Sequence, residues 1–96
     1  MPRIVKRPLA RKDLIDVWLH TCEVWGARQA DKYLDDLDTG IARLKDHPGL
    51  GRARDEVRQG YRSLTINHHV IFYTVESGLI RIVRVLHAQM DPDSHL

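Results

Sequence analysis

Basic side chains in the last third of the chain are of the types that cleave RNA. Attack by a 2′-hydroxyl needs a general base, a general acid and cations that stabilise the phosphorane. Arg62, Arg81 and Arg84 fall on predicted strands, and His87 and His95 follow late in the sequence. The set is incomplete, because no tyrosine that could act as a general acid or base follows the last predicted strand. We favour the interpretation of these arginines as solvated strand residues or as partners of helical carboxylates, and we predict no catalytic residue.

The histidines and the one cysteine do not form a metal-binding pattern. His68 and His69 are adjacent, so on a strand their side chains point to opposite faces. Neither Cys-x-x-Cys nor His-Glu-x-x-His spacing occurs. Cys22 lies among apolar neighbours in a helical pattern, which favours a packed residue over a nucleophile. Gly49 and Gly51 follow a helix and precede none, unlike a phosphate-binding loop. We predict neither a metal nor a cofactor.

Three short β-rich runs would position these residues. They span residues 61–66, 69–75 and 79–87 and are separated by the turn signals Asn67-His68 and Ser77-Gly78. This pattern predicts a meander of three antiparallel strands. On the middle strand Val70 and Phe72 point to one face, and Ile71 and Tyr73 to the other. Both faces are apolar, so one must cover the helices, and the other is either partly covered or exposed to a partner.

The first half of the chain reads as a strand and two helices. Residues 3–6 favour a strand, ended by Pro8. Apolar residues then recur at three- and four-residue spacing from Leu14 to Trp25 and from Ala27 to Leu44. Helices joined only by Gly26 must run nearly antiparallel. The predicted fold class is α+β: an N-terminal strand, an αα-hairpin and a three-stranded antiparallel meander.

Two further features of this half concern glycines. Gly40 is a poor helix former inside the second helix, so something must pack closely there or the helix is weakened. The run His47-Pro48-Gly49 ends the helix, and residues 48–60 are predicted to form a loop.

Composition indicates one small domain, residues 1–96, in which 88–96 form a C-terminal tail. The hydrophobic fraction of 43% is ordinary, and no apolar run approaches a membrane span or a signal-peptide core. We therefore expect a cytoplasmic protein without membrane contact. A net charge of +2 is only mildly basic, and we expect no direct binding of nucleic acid.

Several short motifs, taken in order, resemble the ParE branch of the RelE/ParE toxin superfamily. They are Ala10–Trp18, Trp25-Gly26, His47–Gly51, Gly60–Arg62, Val70–Tyr73 and Ile82–His87. The order of strand, helical hairpin and meander is also that of the superfamily fold. The resemblance covers nearly the whole chain.

This resemblance implies the toxin of a type II toxin–antitoxin system. It implies a ParD-like antitoxin that silences the toxin, and DNA gyrase as the target whose inhibition blocks replication. RelE members instead cut messenger RNA on the ribosome, and the fold alone does not choose between these activities. A RelE-like ribosome-dependent endoribonuclease is therefore the alternative.

The resemblance and the residue pattern together predict two binding surfaces. The segment after the last strand has few residues able to build a core, and the resemblance implies target contacts in this region. The predicted target-binding residues are His87, Gln89, Met90 and His95. The surplus of apolar residues on the helices and the sheet predicts a groove filled by the antitoxin. The predicted antitoxin-binding residues are Trp18, Trp25, Leu34, Leu37 and Phe72.

Overall fold

The structure, a computed structural model, describes residues 2–96. Its elements are β1 (Arg3–Lys6), α1 (Pro8–Trp25), α2 (Ala27–Ala42), β2 (Arg52–Ala53), β3 (Arg62–Ile66), β4 (His69–Glu76), β5 (Leu79–His87) and α3 (Pro92–His95). A 3₁₀ turn at Arg43–Lys45 extends α2. The predicted α+β class, with its strand, helical hairpin and antiparallel meander, is confirmed. None of the helices within residues 2–96 has the length and apolar character needed to cross a membrane.

The strands form one sheet in the order β1-β5-β4-β3-β2. β3, β4 and β5 make the predicted meander, with positive φ at Asn67 in the first turn and at Ser77 and Gly78 in the second. β1 pairs in parallel with β5, from Arg3 opposite Leu79 to Lys6 opposite Ile82. The two-residue β2 adds the other edge, inside the segment predicted to be loop.

The junction of the two helices depends on the conformation of Gly26. Its φ of 94° is strained for any residue with a side chain. Its N–H donates to the Cys22 carbonyl at 2.8 Å, which closes the last turn of α1. Because α2 begins at the next residue, the chain reverses at once and the two helices pack side by side.

The core lies between the helical hairpin and one face of the sheet. Its buried residues are Ala10, Leu14 and Val17 on α1, Leu37 and Ile41 on α2, Leu44 in the 3₁₀ turn, and Ile71, Tyr73, Ile80, Ile82 and Val85 on the sheet. A Cβ at Gly40 would overlap the end of the Ile66 side chain, so this glycine lets α2 approach β3. The close packing expected from a glycine inside a helix is therefore present.

Tyr73 also holds the loop that follows the helices. Its buried hydroxyl donates to the Pro48 carbonyl and accepts from the Gly51 N–H, both at 2.8 Å. A Cβ at Gly51 would collide with the Tyr73 ring and with the Ser63 carbonyl. The loop is thus fixed to the sheet through a core side chain.

The opposite face of the sheet is covered by the chain itself. Phe72 and Leu86 lie on this face and are each only 2% exposed. The Arg54 guanidinium stacks on the Phe72 ring, 5.4 Å from its centroid. Arg58 donates to the Leu96 carbonyl at 3.3 Å, so the loop before β3 meets the end of the chain here. This face was predicted to be either partly covered or exposed to a partner, and the structure shows that it is covered.

Candidate functional site

Helix α1 presents apolar side chains on two sides. Its inner side packs into the core through Leu14 and Val17. We call its outward row the α1 outer stripe, which consists of Ile15, Trp18, Leu19, Cys22 and Trp25. Ile15 is 60% exposed, Leu19 54% and Trp25 73%. Spacings of three and four residues place these side chains on one face, away from the core. A contiguous exposed apolar row of this kind is typical of a protein-docking surface.

The predicted antitoxin-binding residues fall into two groups in the structure. Trp25 is exposed, Trp18 is half-buried with its indole N–H donating to Asp31 at 2.9 Å, and Leu34 is half-buried beside the core. Leu37 and Phe72 are buried, at 0% and 2% exposure. As surface residues these two were wrongly predicted, because Leu37 packs against the sheet and Phe72 lies under Arg54. The prediction from helical periodicity also omitted Ile15 and Leu19. Both lie away from the buried face of α1, and that position could have indicated that they are exposed.

The C-terminal segment, residues 88–96, turns back onto the sheet rather than extending into solvent. Asp91 caps the short helix α3 through the Asp93 N–H at 3.1 Å. The His95 carbonyl accepts from Arg84 Nη1 at 2.7 Å, and the Leu96 carbonyl accepts from Arg58. These two anchoring contacts use main-chain oxygens, so they do not occupy the side chains of Gln89, Met90 and His95. No element was predicted after His87, because a four-residue helix has too few turns to show a periodicity.

The four predicted target-binding residues do not form one cluster. His87 is half-buried, and its Nδ1 accepts from the Gln89 N–H at 3.1 Å. Met90, which is 47% exposed, lines a cleft together with His87. Gln89 and His95 are exposed and lie outside the lining of that cleft.

This cleft has a volume of about 350 Å³ and lies between α1 and the end of β5. Three histidines line it, His20 from α1, His69 from β4 and His87 from β5. The rings of His69 and His87 meet edge to face with centroids 5.4 Å apart, because the two residues are opposite each other on paired strands. Within residues 2–96, no three histidine, cysteine or acidic side chains are close enough together to hold a metal ion.

His69 is held in its neutral form by its hydrogen bonds and its burial. The Tyr33 hydroxyl accepts from the His68 N–H at 3.2 Å and lies 2.6 Å from His69 Nδ1. These two atoms share a hydrogen bond, in which the Tyr33 hydroxyl donates when the neutral His69 ring carries its proton on Nε2 and accepts when the proton is on Nδ1. Burial, with smaller contributions from His87 and His68, lowers the pKa of His69 to about 4. Burial also raises the pKa of Tyr33. A histidine with such a pKa is a weak base at neutral pH.

Two of the three strand arginines, Arg62 and Arg84, are engaged in the fold, whereas Arg81 makes only a long ion pair of 3.8 Å with the exposed Glu76. Asp13 accepts from Arg84 Nε at 2.7 Å and from Nη2 at 2.9 Å, and it raises the pKa of Arg84. The same carboxylate accepts from the Val85 N–H at 3.0 Å, beyond the point where β1 stops pairing with β5. Arg62 donates to the carbonyls of Gly49 and Gly51. A phosphate entering this region would have to displace these partners.

Comparisons with known proteins agree with this architecture. A family model described as the ParE toxin of the type II toxin–antitoxin system parDE matches residues 4–92. The chain is 43% identical over 95 residues to Toxin ParE1 of Mycobacterium tuberculosis strain H37Rv, covering 98% of this chain and 97% of that protein. It is 38% identical over 87 residues to Toxin ParE1 of Caulobacter vibrioides, covering 91% and 90%.

Solved structures share the fold. A chain from the chromosomal ParDE toxin–antitoxin system of P. aeruginosa superposes with a TM-score of 0.83 at 22% identity, covering 93% of this chain and 98% of that one. A chain from the YoeB–YefM complex of Staphylococcus aureus superposes with a TM-score of 0.59 at 20% identity, covering 91% and 97%.

Proposed function

Since the chain belongs to the ParE toxin family of type II toxin–antitoxin systems, we propose that it inhibits DNA gyrase by binding and thereby blocks replication. We further propose that a ParD-like antitoxin neutralises it. The observation that carries the proposal is a family match over residues 4–92, which includes α1, α2 and the whole sheet except Arg3.

Inhibition by binding rather than catalysis is supported by the state of the titratable groups. A ribonuclease needs a cation that is free to meet the phosphorane. Arg84 is neutralised by Asp13, and Arg62 is bonded to two carbonyls. His69 is neutral with its Nδ1 occupied. We therefore assign no catalytic residue to the toxin.

We place the antitoxin on the α1 outer stripe, flanked by Leu34 on α2. Trp25 gives the largest exposed aromatic surface of the stripe, and buried tryptophans dominate many interfaces. Trp25→Ala should weaken antitoxin binding at least about tenfold, in line with the cost of losing an interface anchor. Val24→Ala is the matched control, because Val24 is 56% exposed on the same helix but lies outside the stripe. Equal affinities of the two variants, measured by calorimetry, would remove the stripe from the interface.

We place the target contacts on the C-terminal segment and the adjoining cleft wall, at His87, Gln89, Met90 and His95. Main-chain oxygens anchor this segment, so its exposed side chains are available to a target. Because the contacts act by shape and hydrogen bonding, no single acid or base should be essential. His87→Gln keeps a hydrogen-bonding side chain and removes the titrating imidazole, and it should retain toxicity.

The deciding experiment is induction of the wild-type chain and His87→Gln in bacteria, with and without antitoxin. Replication arrest, a DNA-damage response and inhibition of supercoiling by purified gyrase are the expected results for both proteins. Translation arrest, with cleavage of messenger RNA on ribosomes that His87→Gln abolishes, would replace the proposal with the RelE-like endoribonuclease.

A further inference from the structure

The Arg84 guanidinium lies where α1, the end of β5 and the C-terminal segment meet. Its Nε and Nη2 donate to the two carboxylate oxygens of Asp13 on α1, at 2.7 and 2.9 Å. Its Nη1 donates to the His95 carbonyl at 2.7 Å. All three nitrogens therefore have a partner, and a guanidinium is a rigid planar fork that fixes the direction of each bond. The position of Asp13 thus sets the position in which the His95 carbonyl is held.

Asp13 orients Arg84 and is itself held by the sheet. Its carboxylate also accepts from the Val85 N–H at 3.0 Å, just beyond the end of the pairing between β1 and β5. The side chains of Arg84 and Asp13 are 17% and 13% exposed, so the ion pair is largely shielded from water. Separating such a pair leaves a shielded charge without its partner, which is unfavourable. The pair therefore stays closed and keeps the guanidinium in one orientation.

The C-terminal segment has few other bonds to the rest of the protein. At its start the Ala88 N–H donates to the His68 carbonyl at 2.9 Å. At its end the Leu96 carbonyl accepts from Arg58 at 3.3 Å in an exposed bond, and α3 has no buried residue. Of these three attachments, the one from Arg84 is the shortest, and it comes from a side chain whose direction is already fixed. Arg84 is therefore the main anchor of the far end of the segment.

The ion pair also lies beside the residues to which we assign target contacts. Asp13 and Arg84 line the cleft together with His87 and Met90. The side chain of His95 is exposed, while its carbonyl is held by Arg84. An anchor on the main chain at this point fixes where the neighbouring side chains leave the surface.

Resting on the inhibition of gyrase proposed above, we infer that Arg84, oriented by Asp13, is a positioning residue that holds the C-terminal segment in place for the target. The target-binding side chains of that segment, Gln89, Met90 and His95, are thereby presented as one fixed surface. A segment without this anchor would have to become ordered on binding, and the entropy lost would weaken the affinity for the target. The α1 outer stripe lies on the outward row of α1, whereas Asp13 is directed at β5, so the affinity for antitoxin should not depend on the anchor.

Arg84→Lys tests this inference. Lysine keeps a positive charge beside Asp13, but its single nitrogen cannot reproduce a planar fork that holds Asp13 and the His95 carbonyl together. Arg43→Lys is the matched control, since Arg43 is an exposed residue of the 3₁₀ turn after α2. Each full-length protein is assayed for inhibition of supercoiling by purified gyrase, for affinity to the cognate antitoxin, for melting temperature and for amide NMR shifts.

Arg84→Lys should inhibit gyrase at least about tenfold more weakly than wild type, because the segment must then be ordered during binding. Its affinity for antitoxin should be unchanged. The amide signals of residues 89–96 should move toward those of an unstructured chain, while the signals of β4 stay in place. Arg43→Lys should match wild type in every assay.

Four results would count against the inference. Undiminished inhibition by a folded Arg84→Lys protein would overturn it and leave the proposed function standing. Weaker inhibition with unmoved amide signals would make Arg84 a direct target contact, and equal losses of inhibition and antitoxin affinity would show a purely structural role; each overturns positioning. Failure of the wild-type chain itself to inhibit gyrase would overturn the proposed function, on which the inference rests.

A second variant covers the case in which Arg84→Lys does not fold. Asp13→Asn keeps an oxygen that accepts from the Val85 N–H but removes the charge that orients Arg84. It should show the same split between gyrase inhibition and antitoxin affinity, and the same outcomes decide.

Discussion

The helix–sheet interface and the C-terminal segment are held together by different forces. The interface joins buried apolar side chains from both helices and the sheet around Tyr73, Leu37 and Ile71, none of which is exposed. The C-terminal segment, residues 88–96, is anchored mainly by hydrogen bonds from Arg84 and Arg58 to carbonyls, and it has no buried residue in α3. Burial of apolar area is the larger stabilising contribution, so the interface carries the stability of the domain. The C-terminal segment contributes less to stability, which is compatible with the target contacts that we propose for it.

Creating a cavity in the helix–sheet interface should have the largest effect on the free energy of unfolding. Leu37→Ala is expected to lower the free energy of unfolding by about 2–5 kcal/mol, because it removes buried methyl groups and leaves a cavity. Ile15→Ala, on the exposed side of α1, should change it by no more than about 0.5 kcal/mol. Chemical denaturation of both variants measures the difference. Similar losses would mean that the α1 outer stripe also supports the fold.

Adding side-chain volume to the helix–sheet interface should lower the free energy of unfolding by a smaller amount than the cavity does. In Gly40→Ala, over-packing against Ile66 by the added Cβ is expected to cost about 1–3 kcal/mol of unfolding free energy. The higher helix propensity of alanine offsets only about 1 kcal/mol of that. The double variant with Ile66→Val should recover part of the loss. A Gly40→Ala protein more stable than wild type would show that β3 yields easily to α2.

Lowering the pH should destabilise the protein through His69, which lies at the edge of the helix–sheet interface. Its folded-state pKa of about 4 lies below the ordinary 6.5, so between these values the unfolded chain binds a proton that the folded chain does not. This contribution to stability is complete above about pH 6.5 and is lost as pH falls toward 4. His69→Gln should show a shallower fall of melting temperature over this range, while carboxylates contribute equally to both proteins. Parallel curves would mean that His69 titrates normally.

Removing part of the C-terminal segment should have the smallest effect on folding and the largest on function. Deletion of residues 89–96 loses the bonds from Arg84 and Arg58, at an expected cost of about 1 kcal/mol in unfolding free energy. The truncated protein should keep its meander and bind antitoxin, but no longer inhibit supercoiling by purified gyrase. Met90→Ala in the full-length chain is the matched point variant. Full inhibition by the folded truncation would place the toxic surface on the sheet, around Arg62 and Arg81.

Features that depend on near neighbours in the chain could be predicted from the order of the amino acids alone. Apolar spacing specified both helices, and Gly26 specified the reversal between them. Two turn signals specified the meander, and Gly40 indicated that another element packs closely against α2. These signals are local because helix periodicity, turn conformation and steric freedom act over a few residues.

Which apolar and charged residues remain at the surface depends on how the helices and the sheet pack against each other. Leu37 and Leu34 belong to one periodic stripe, yet the sheet buries the first and leaves the second half-buried. The Arg84 side chain could have faced solvent, but it forms an ion pair with Asp13, which lies 71 positions away in the sequence. The parallel pairing of β1 with β5 leaves the other edge of β1 open. Exposure, ion pairing and strand edges depend on segments far apart in the sequence, so no local pattern encodes them.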